Sequence, residues 1–203
     1  EERSDKRPIL ADLRESGCMP ASTRLLRADD NSEVTLGELA ESGETDVPVW
    51  SLDEHWRMVP ATLTHAFPSG TKKVFSLELA SGRVVEATAN HPFRLVDRWA
   101  RLDELRVGAR VAVPRAVGSP ESLASLADTT AAELAGSAVA RGRLPAGVSA
   151  LSDAPLGEFL AELFGRIGYL SCTRLRGRPH VRIAATTSSR TLIDQLQGLL
   201  LRF

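Results

Sequence analysis

With 203 residues, 43% of them hydrophobic, the chain has enough apolar material for one or two globular domains with cores of their own. It contains no charge-free apolar run of membrane-spanning length, and its polar start, Glu1 to Arg7, does not read as a secretory signal, so a soluble cytoplasmic chain without a membrane partner is expected. Two cysteines, Cys18 and Cys172, exclude a disulfide framework or a paired-cysteine zinc site, and the net charge of −1 hides a division: residues 141–203 carry nine arginines against four acids, which leaves the first 140 residues at −6.

Residues 1–17 are polar, highly charged and without an aromatic anchor, so they cannot bury a core by themselves and read as a fragment of another protein. From Cys18 the texture changes to short apolar runs broken by turn residues: Thr23 to Arg27, Val47 to Leu52, Arg57 to Phe67, Lys72 to Ala80, Arg83 to Ala89 and Arg110 to Pro114. Runs of this length, rich in Val, Thr and Phe and bounded by Gly, Pro, Asp and Ser, predict an all-β segment over 18–115. Two single helical turns interrupt it. Thr35-Leu36-Gly37-Glu38 has the spacing of a capping box, and Leu102-Asp103-Glu104-Leu105 stands before Gly108. Trp50, Trp56 and Trp99 read as core or rim anchors, and His55 and His65 as structural.

Residues 116–155 are rich in Ala, Ser, Gly and Pro and hold no aromatic residue, which predicts a linker with a weak helical run from Leu123 to Val139. Leu156, Phe159, Leu160, Leu163 and Phe164 then recur at helical spacing, Val181 to Ala184 alternates like a strand, and Leu192, Ile193, Leu196, Leu199 and Leu200 form a second amphipathic helix. Residues 156–203 therefore read as a small basic α+β module. Arg174, Arg176, Arg178 and Arg182 are its candidate contacts to nucleic acid, against the plainer reading that they solvate a surface, and His180 is more simply solvated than phosphate-bound.

The chemistry concentrates at the seam between the first two textures. Cys18 follows Gly17 directly, and Thr88-Ala89-Asn90-His91-Pro92 lies about seventy residues on, on a predicted strand. Amide resonance makes conversion of a peptide bond to a thioester uphill, so the step needs help. The Cys18 thiol is tethered beside the Gly17 carbonyl, which raises its effective concentration, but an ordinary thiol pKa of about 8.5 leaves little thiolate near neutrality, so activation is expected. Gly17, without a Cβ, lets the nucleophile close on the carbonyl. His91 can give or take a proton near neutral pH and is held extended by Pro92, Thr88 can orient the scissile amide through its hydroxyl, and Asn90 is a supporting polar contact.

These residues carry a resemblance. Cys18-Met19-Pro20-Ala21-Ser22-Thr23-Arg24-Leu25-Leu26, the run Gly82 to Phe93 with its Thr88-Ala89-Asn90-His91, and the stretches Trp99 to Gly108 and Val111 to Pro114 together resemble the N-terminal splicing block of an intein, of the kind found in actinobacterial replicative helicases. Asp5 to Gly17 is similar to a segment of the RecA-like motor domain of the bacterial replicative DNA helicase. The resemblance implies a mainly β fold: a Hint-type all-β horseshoe splicing block over 18–115, preceded by an N-extein over 1–17. It implies an N-to-S acyl shift at the bond joining Gly17 to Cys18, with Cys18, Thr88 and His91 catalytic and no cofactor. Later splicing steps need a C-terminal block ending in His-Asn, which these 203 residues do not contain, so the expected chain starts splicing and depends on its own exteins or a complementary C-terminal part to finish.

Glu158 to Gly168 resembles the helix of a LAGLIDADG homing endonuclease. Ile167 stands where that family places an acidic metal ligand, and a divalent ion needs oxygen ligands, so a decayed endonuclease remnant over 156–203 with residual DNA affinity is implied, and residues 116–155 read as a deletion scar. Magnesium would matter only to an active endonuclease. ATP belongs to the hexameric parent helicase, since no phosphate-binding G-x-x-x-x-G-K-[ST] loop is present. Two rival readings remain at this level: a site-specific DNA endonuclease, and a helicase fragment with interaction roles alone.

Overall fold

A computed structural model describes residues 17–120 and 129–203. Among these residues strand outweighs helix, and every sheet is two-stranded. The expected N-extein therefore lies outside the described residues except for Gly17, as does the start of the helical run expected from Leu123.

The chain separates into two compact units that do not follow sequence order. The first comprises residues 17–24, 35–45 and 65–113. Its helix α1 (Leu36–Ser42) starts where the sequence predicts: the Thr35 hydroxyl accepts from Glu38 N at 3.1 Å, Thr35 N donates to the Glu38 carboxylate at 2.8 Å, and Gly43, with φ 68°, closes the helix in the left-handed region. Strands β5 (Val74–Glu78) and β6 (Val84–Thr88) pair antiparallel, with Val74 opposite Thr88 and Glu78 opposite Val84. Strands β7 (Pro92–Arg94) and β8 (Trp99–Arg101) form a second antiparallel pair, followed by a single 3-10 turn at Leu102–Glu104. The expected strand at Arg110 to Pro114 reduces to one bridge between Leu95 and Val111. The pairs that the apolar runs do not announce, β7 and β8, are three residues each, too short for an alternation to register.

The second unit comprises residues 25–34, 46–64 and 114–203. Strand β1 (Arg24–Leu26) pairs with β2 (Glu33–Thr35), and β3 (Thr45–Leu52) with β4 (Met58–His65). Trp50 is half-buried there: its Nε1 donates to Asn31 Oδ1 at 2.6 Å, and Asn31 Nδ2 donates to the Gly118 carbonyl at 3.1 Å. Trp56 and Trp99 are largely exposed, so they are rim rather than core.

The helical core of this unit corrects the expected linker. Within 116–155, helix α2 (Ala131–Arg141) has its own capping box, Thr130 with Glu133, and buries Leu134, Ala135 and Ala138. These pack with Val148 and Leu151, with Leu156, Phe159, Leu160 and Leu163 of α3 (Asp153–Ile167), and with Leu192, Leu196 and Leu199 of α4 (Arg190–Leu199). Alanine at two of these positions packs closely without contributing the bulk that marks a core in sequence. Ile167, the last residue of α3, is half-buried against the same core.

Between α3 and α4 stands an antiparallel hairpin, β9 (Gly168–Leu175) and β10 (Arg178–Ala185), joined at Arg176 and Gly177, both with positive φ as a tight two-residue turn requires. Ser171 faces Arg182, Thr173 faces His180 and Arg174 faces Pro179 across the ladder. Arg178 and Arg182 thus share one face, whereas Arg174 belongs to the other, beside exposed Leu170, Val181 and Ile183, and Arg176 sits in the turn. The four arginines are not gathered on one surface. No helix among the described residues is long and apolar enough to cross a membrane.

Candidate functional site

The seam of the sequence lies within the first unit. Residues 17–18 run alongside the end of β6, where Thr88 N donates to the Cys18 carbonyl at 2.9 Å. In return Cys18 N, the nitrogen of the Gly17–Cys18 bond, donates to Thr88 Oγ1 at 2.8 Å. The Thr88 hydroxyl has one proton, and its shorter contact is to Asn90 Oδ1 at 2.8 Å against 3.3 Å to the Cys18 carbonyl. Asn90 thus turns the hydroxyl so that its lone pairs face the Gly17–Cys18 amide. Thr88 is buried, which removes water as a competitor for that bond.

The Thr-x-x-His run does not lie on one strand, as the sequence suggests. Thr88 ends β6, residues 89–90 make a turn closed by His91 N donating to the Thr88 carbonyl at 3.0 Å, and His91 leads into β7. The reversal is what brings position 91 back to the seam, since on a continuous strand residues three apart point to opposite faces. The His91 carbonyl accepts from Leu102 N at 2.9 Å, and the ring meets Phe93 edge-on with centroids 5.3 Å apart.

His91 also accounts for glycine at position 17. A Cβ placed on Gly17 would lie 2.0 Å from His91 Cα and 2.5 Å from its Cβ, far inside contact distance, so a side chain there would displace the backbone that carries the imidazole. Burial pushes the His91 imidazole below its ordinary pKa, with a hydrogen bond to the Gly17 backbone working in the opposite direction. The ring is therefore neutral at rest near pH 7, and its buried Nδ1 has no hydrogen-bond partner among the described residues.

Two side chains that sequence reasoning missed complete the site. Ser69 Oγ donates to Cys18 Sγ at 3.3 Å and Lys72 Nζ donates to the same sulfur at 3.0 Å. The Ser69 hydroxyl, then the Lys72 ammonium, hold the thiol below its usual pKa, and slight burial opposes them. In sequence, Pro68-Ser69-Gly70 reads as turn punctuation and Lys72 as a polar strand start, so neither residue carries a chemical signal. Cys18, Thr88, Asn90 and His91 are thus gathered with Gly17 in one unit, while Arg174, Arg176, Arg178 and Arg182 belong to the other unit. Among the described residues, no group of three or more His, Cys, Asp or Glu side chains is placed to hold a metal ion.

No protein-family model matches the chain. It is 37% identical over 120 residues to the replicative DNA helicase DnaB of Synechocystis sp., a match covering 59% of this chain and 14% of that protein. It is 40% identical over 132 residues to the replicative DNA helicase DnaB of Rhodothermus marinus, covering 64% and 13%. The chain thus spans about one seventh of the length of these curated relatives. Among solved structures it is 33% identical to a DnaB intein from Synechocystis sp. PCC 6803, covering 49% of this chain and 70% of that one with a TM-score of 0.47. It is 36% identical to the Ssp DnaB mini-intein variant M86, covering 51% and 68% with a TM-score of 0.48. The chain belongs to the intein family. Sequence identity above 30% over more than two thirds of each of those inteins carries the assignment, rather than the superposition. In this intein Cys18, the buried threonine and the histidine of the turn form one constellation around a single peptide bond.

Proposed function

We propose that this intein rearranges its own Gly17–Cys18 bond by an N-to-S acyl shift, the first step of protein splicing. The observation that carries the reading is the hydrogen bond from Cys18 N to the buried Thr88 hydroxyl, because it grips the one nitrogen that must leave. Cys18 Sγ loses its proton and attacks the Gly17 carbonyl carbon. A C–S bond forms, the carbonyl π pair moves to oxygen, and as the carbonyl re-forms the C–N bond breaks. The departing nitrogen accepts one proton, which balances the one lost from sulfur, and the products are a Gly17 thioester and a free Cys18 amine.

His91 supplies that proton. Its neutral resting state keeps a basic nitrogen available to take up a proton as negative charge builds beside it, and it returns the proton to the amide nitrogen as the bond breaks. Thr88 and Asn90 hold the amide fixed while this happens, the positional contribution of a preorganised site. No cofactor enters, since every electron pair comes from the chain and every proton from the chain or water.

The host follows as part of the same proposal. Residues 1–17 are N-extein from a DnaB-type replicative helicase, supported by the shared name of the curated relatives. Exteins or a complementary C-terminal intein part are the partners of the later steps.

The test is thiol-induced cleavage. Incubation of the folded chain with dithiothreitol or hydroxylamine is expected to release residues 1–17, seen by mass spectrometry as loss of that segment. The Cys18→Ala variant should stay intact. A folded wild-type chain that keeps residues 1–17 under these conditions removes the reading.

A further inference from the structure

We propose that Lys72, assisted by Ser69, is a catalytic residue of this site: it holds Cys18 as a thiolate before attack and lets the sulfur go once the thioester forms. Both side chains aim a donor at one sulfur, at 3.0 Å and 3.3 Å. A neutral thiol is a poor acceptor and carries a proton of its own, so two donors converging on it gain little, whereas a thiolate accepts both. The lysine is on an exposed loop, where an ammonium otherwise stays fully hydrated on a mobile stem. Between the two donors stands Gly70, whose φ of 86° only glycine adopts freely, and positions 69 and 72 on either side of it reach the same atom.

The other groups around the sulfur do not duplicate this charge. From β6 and its turn come Thr88 and Asn90, both neutral, and His91, kept neutral by burial. From the loop come Ser69 and Lys72, while the neighbouring Lys73 instead places its ammonium 4.9 Å from the centre of the Phe75 ring. Among the described residues, Lys72 is thus the cation placed to compensate the thiolate. The ammonium keeps its proton throughout, so the thiol proton passes to water. When the carbon–sulfur bond forms, the negative charge leaves sulfur and the attraction to Lys72 ends. The lysine therefore promotes attack at neutral pH without binding the product.

The catalytic part of this inference rests on the acyl-shift reading, but the ion pair itself does not, and two readouts keep them apart. In the full chain with Cys172→Ala, so that one thiol responds, the rate of Cys18 alkylation by iodoacetamide is followed against pH. Lys72→Met, which keeps length and loses charge, is expected to move the profile to higher pH and slow alkylation at pH 7. Lys72→Arg is expected to restore most of the wild-type profile. Thiol-induced release of residues 1–17 should be slowed severalfold at pH 7 in Lys72→Met and approach the wild-type rate near pH 9, whereas a merely structural loss would depress it at every pH. Superimposable alkylation profiles for wild type and Lys72→Met overturn the proposal, and so does slowing of cleavage by the same factor across the whole pH range. A shifted alkylation profile without cleavage in either protein upholds the ion pair and sinks the acyl-shift reading instead.

Discussion

The two units of this intein divide stability and chemistry between them. The second unit has a core of leucines around Phe159, fully buried and contributed by three helices. Among its described residues the first has no comparable core: Leu39, Ala87 and Ala100 are buried, while Phe75, Val84 and Trp99 stay exposed on two-stranded ribbons and Val107 in a turn, and an open groove of about 1050 Å³ is lined by Phe75, Leu77, Leu105, Val107 and Val111. Two-stranded ribbons are marginal on their own. The reactive bond is nevertheless in that thinner unit. Its precision comes from a few directional bonds at the seam rather than from packing density. A site built this way fails through single polar atoms, while a core built the other way fails through lost volume.

The largest expected effect tests the polar side of that contrast. Replacing His91 by Ala removes the proton carrier and should slow thiol-induced release of residues 1–17 by about 10²- to 10⁴-fold, the usual range for a positioned acid–base group. Its pH signature follows from the two lowered pKa values. Thiolate and imidazolium together are most populated between the histidine and cysteine pKa values, and both lie below their ordinary positions. Below that window the thiol takes up protons that the imidazole can no longer offset, and above it the imidazole stays neutral while no more thiolate forms. The plateau of cleavage against pH is therefore expected to lie on the acid side of that for a free cysteine and histidine. A plateau on the alkaline side would contradict the site electrostatics.

The core of the second unit is tested next. Phe159→Ala should cost about 3–5 kcal/mol of that unit's stability, read as a lowered denaturation midpoint. Below that midpoint the cleavage rate should stay unchanged. A cleavage loss in fully folded Phe159→Ala would break the division of labour.

A smaller effect is expected from Thr88→Val, which keeps the shape and deletes the acceptor of Cys18 N. Leaving a buried donor unpaired costs about 1–3 kcal/mol, or about tenfold to a hundredfold if the loss falls on the transition state. Unchanged cleavage would show that the grip on the amide is dispensable. The smallest effect concerns the proposed weak DNA affinity of the hairpin. Removing Arg178 and Arg182 together should reduce the salt dependence of duplex binding by about one unit of slope per arginine. The same slope before and after, measured by titration at several salt concentrations, would leave these arginines as solvated surface.

Several elements were legible without the structure. The capping box at Thr35 and Glu38, the helices holding Phe159 and Leu196, and the trio Cys18, Thr88 and His91 that the fold brings together each carry a local pattern. The α2 helix was legible only as part of a weak helical run, and its place in the core was not, because Ala135 and Ala138 fill a core by fitting closely rather than by being large. The assignment of residues 25–34 and 46–64 to the same unit as the helices was also hidden, since no periodicity encodes which distant segments share a core.

What the sequence determined by itself is the chemistry available: a thiol next to a glycine, a hydroxyl and an imidazole three residues apart, and a proline to set the imidazole's backbone. Such facts are local, because they depend on residue type and short spacing. Tertiary structure decided how these groups are used. The turn at residues 89–90 swings His91 onto Gly17, where a Cβ would collide with it, and the loop holding Ser69 and Lys72 meets the Cys18 sulfur from more than fifty residues away in the chain. Hydrogen bonds and charge contacts act only within a few ångströms, so a partner this far away in sequence exists for the thiol only after the chain has folded.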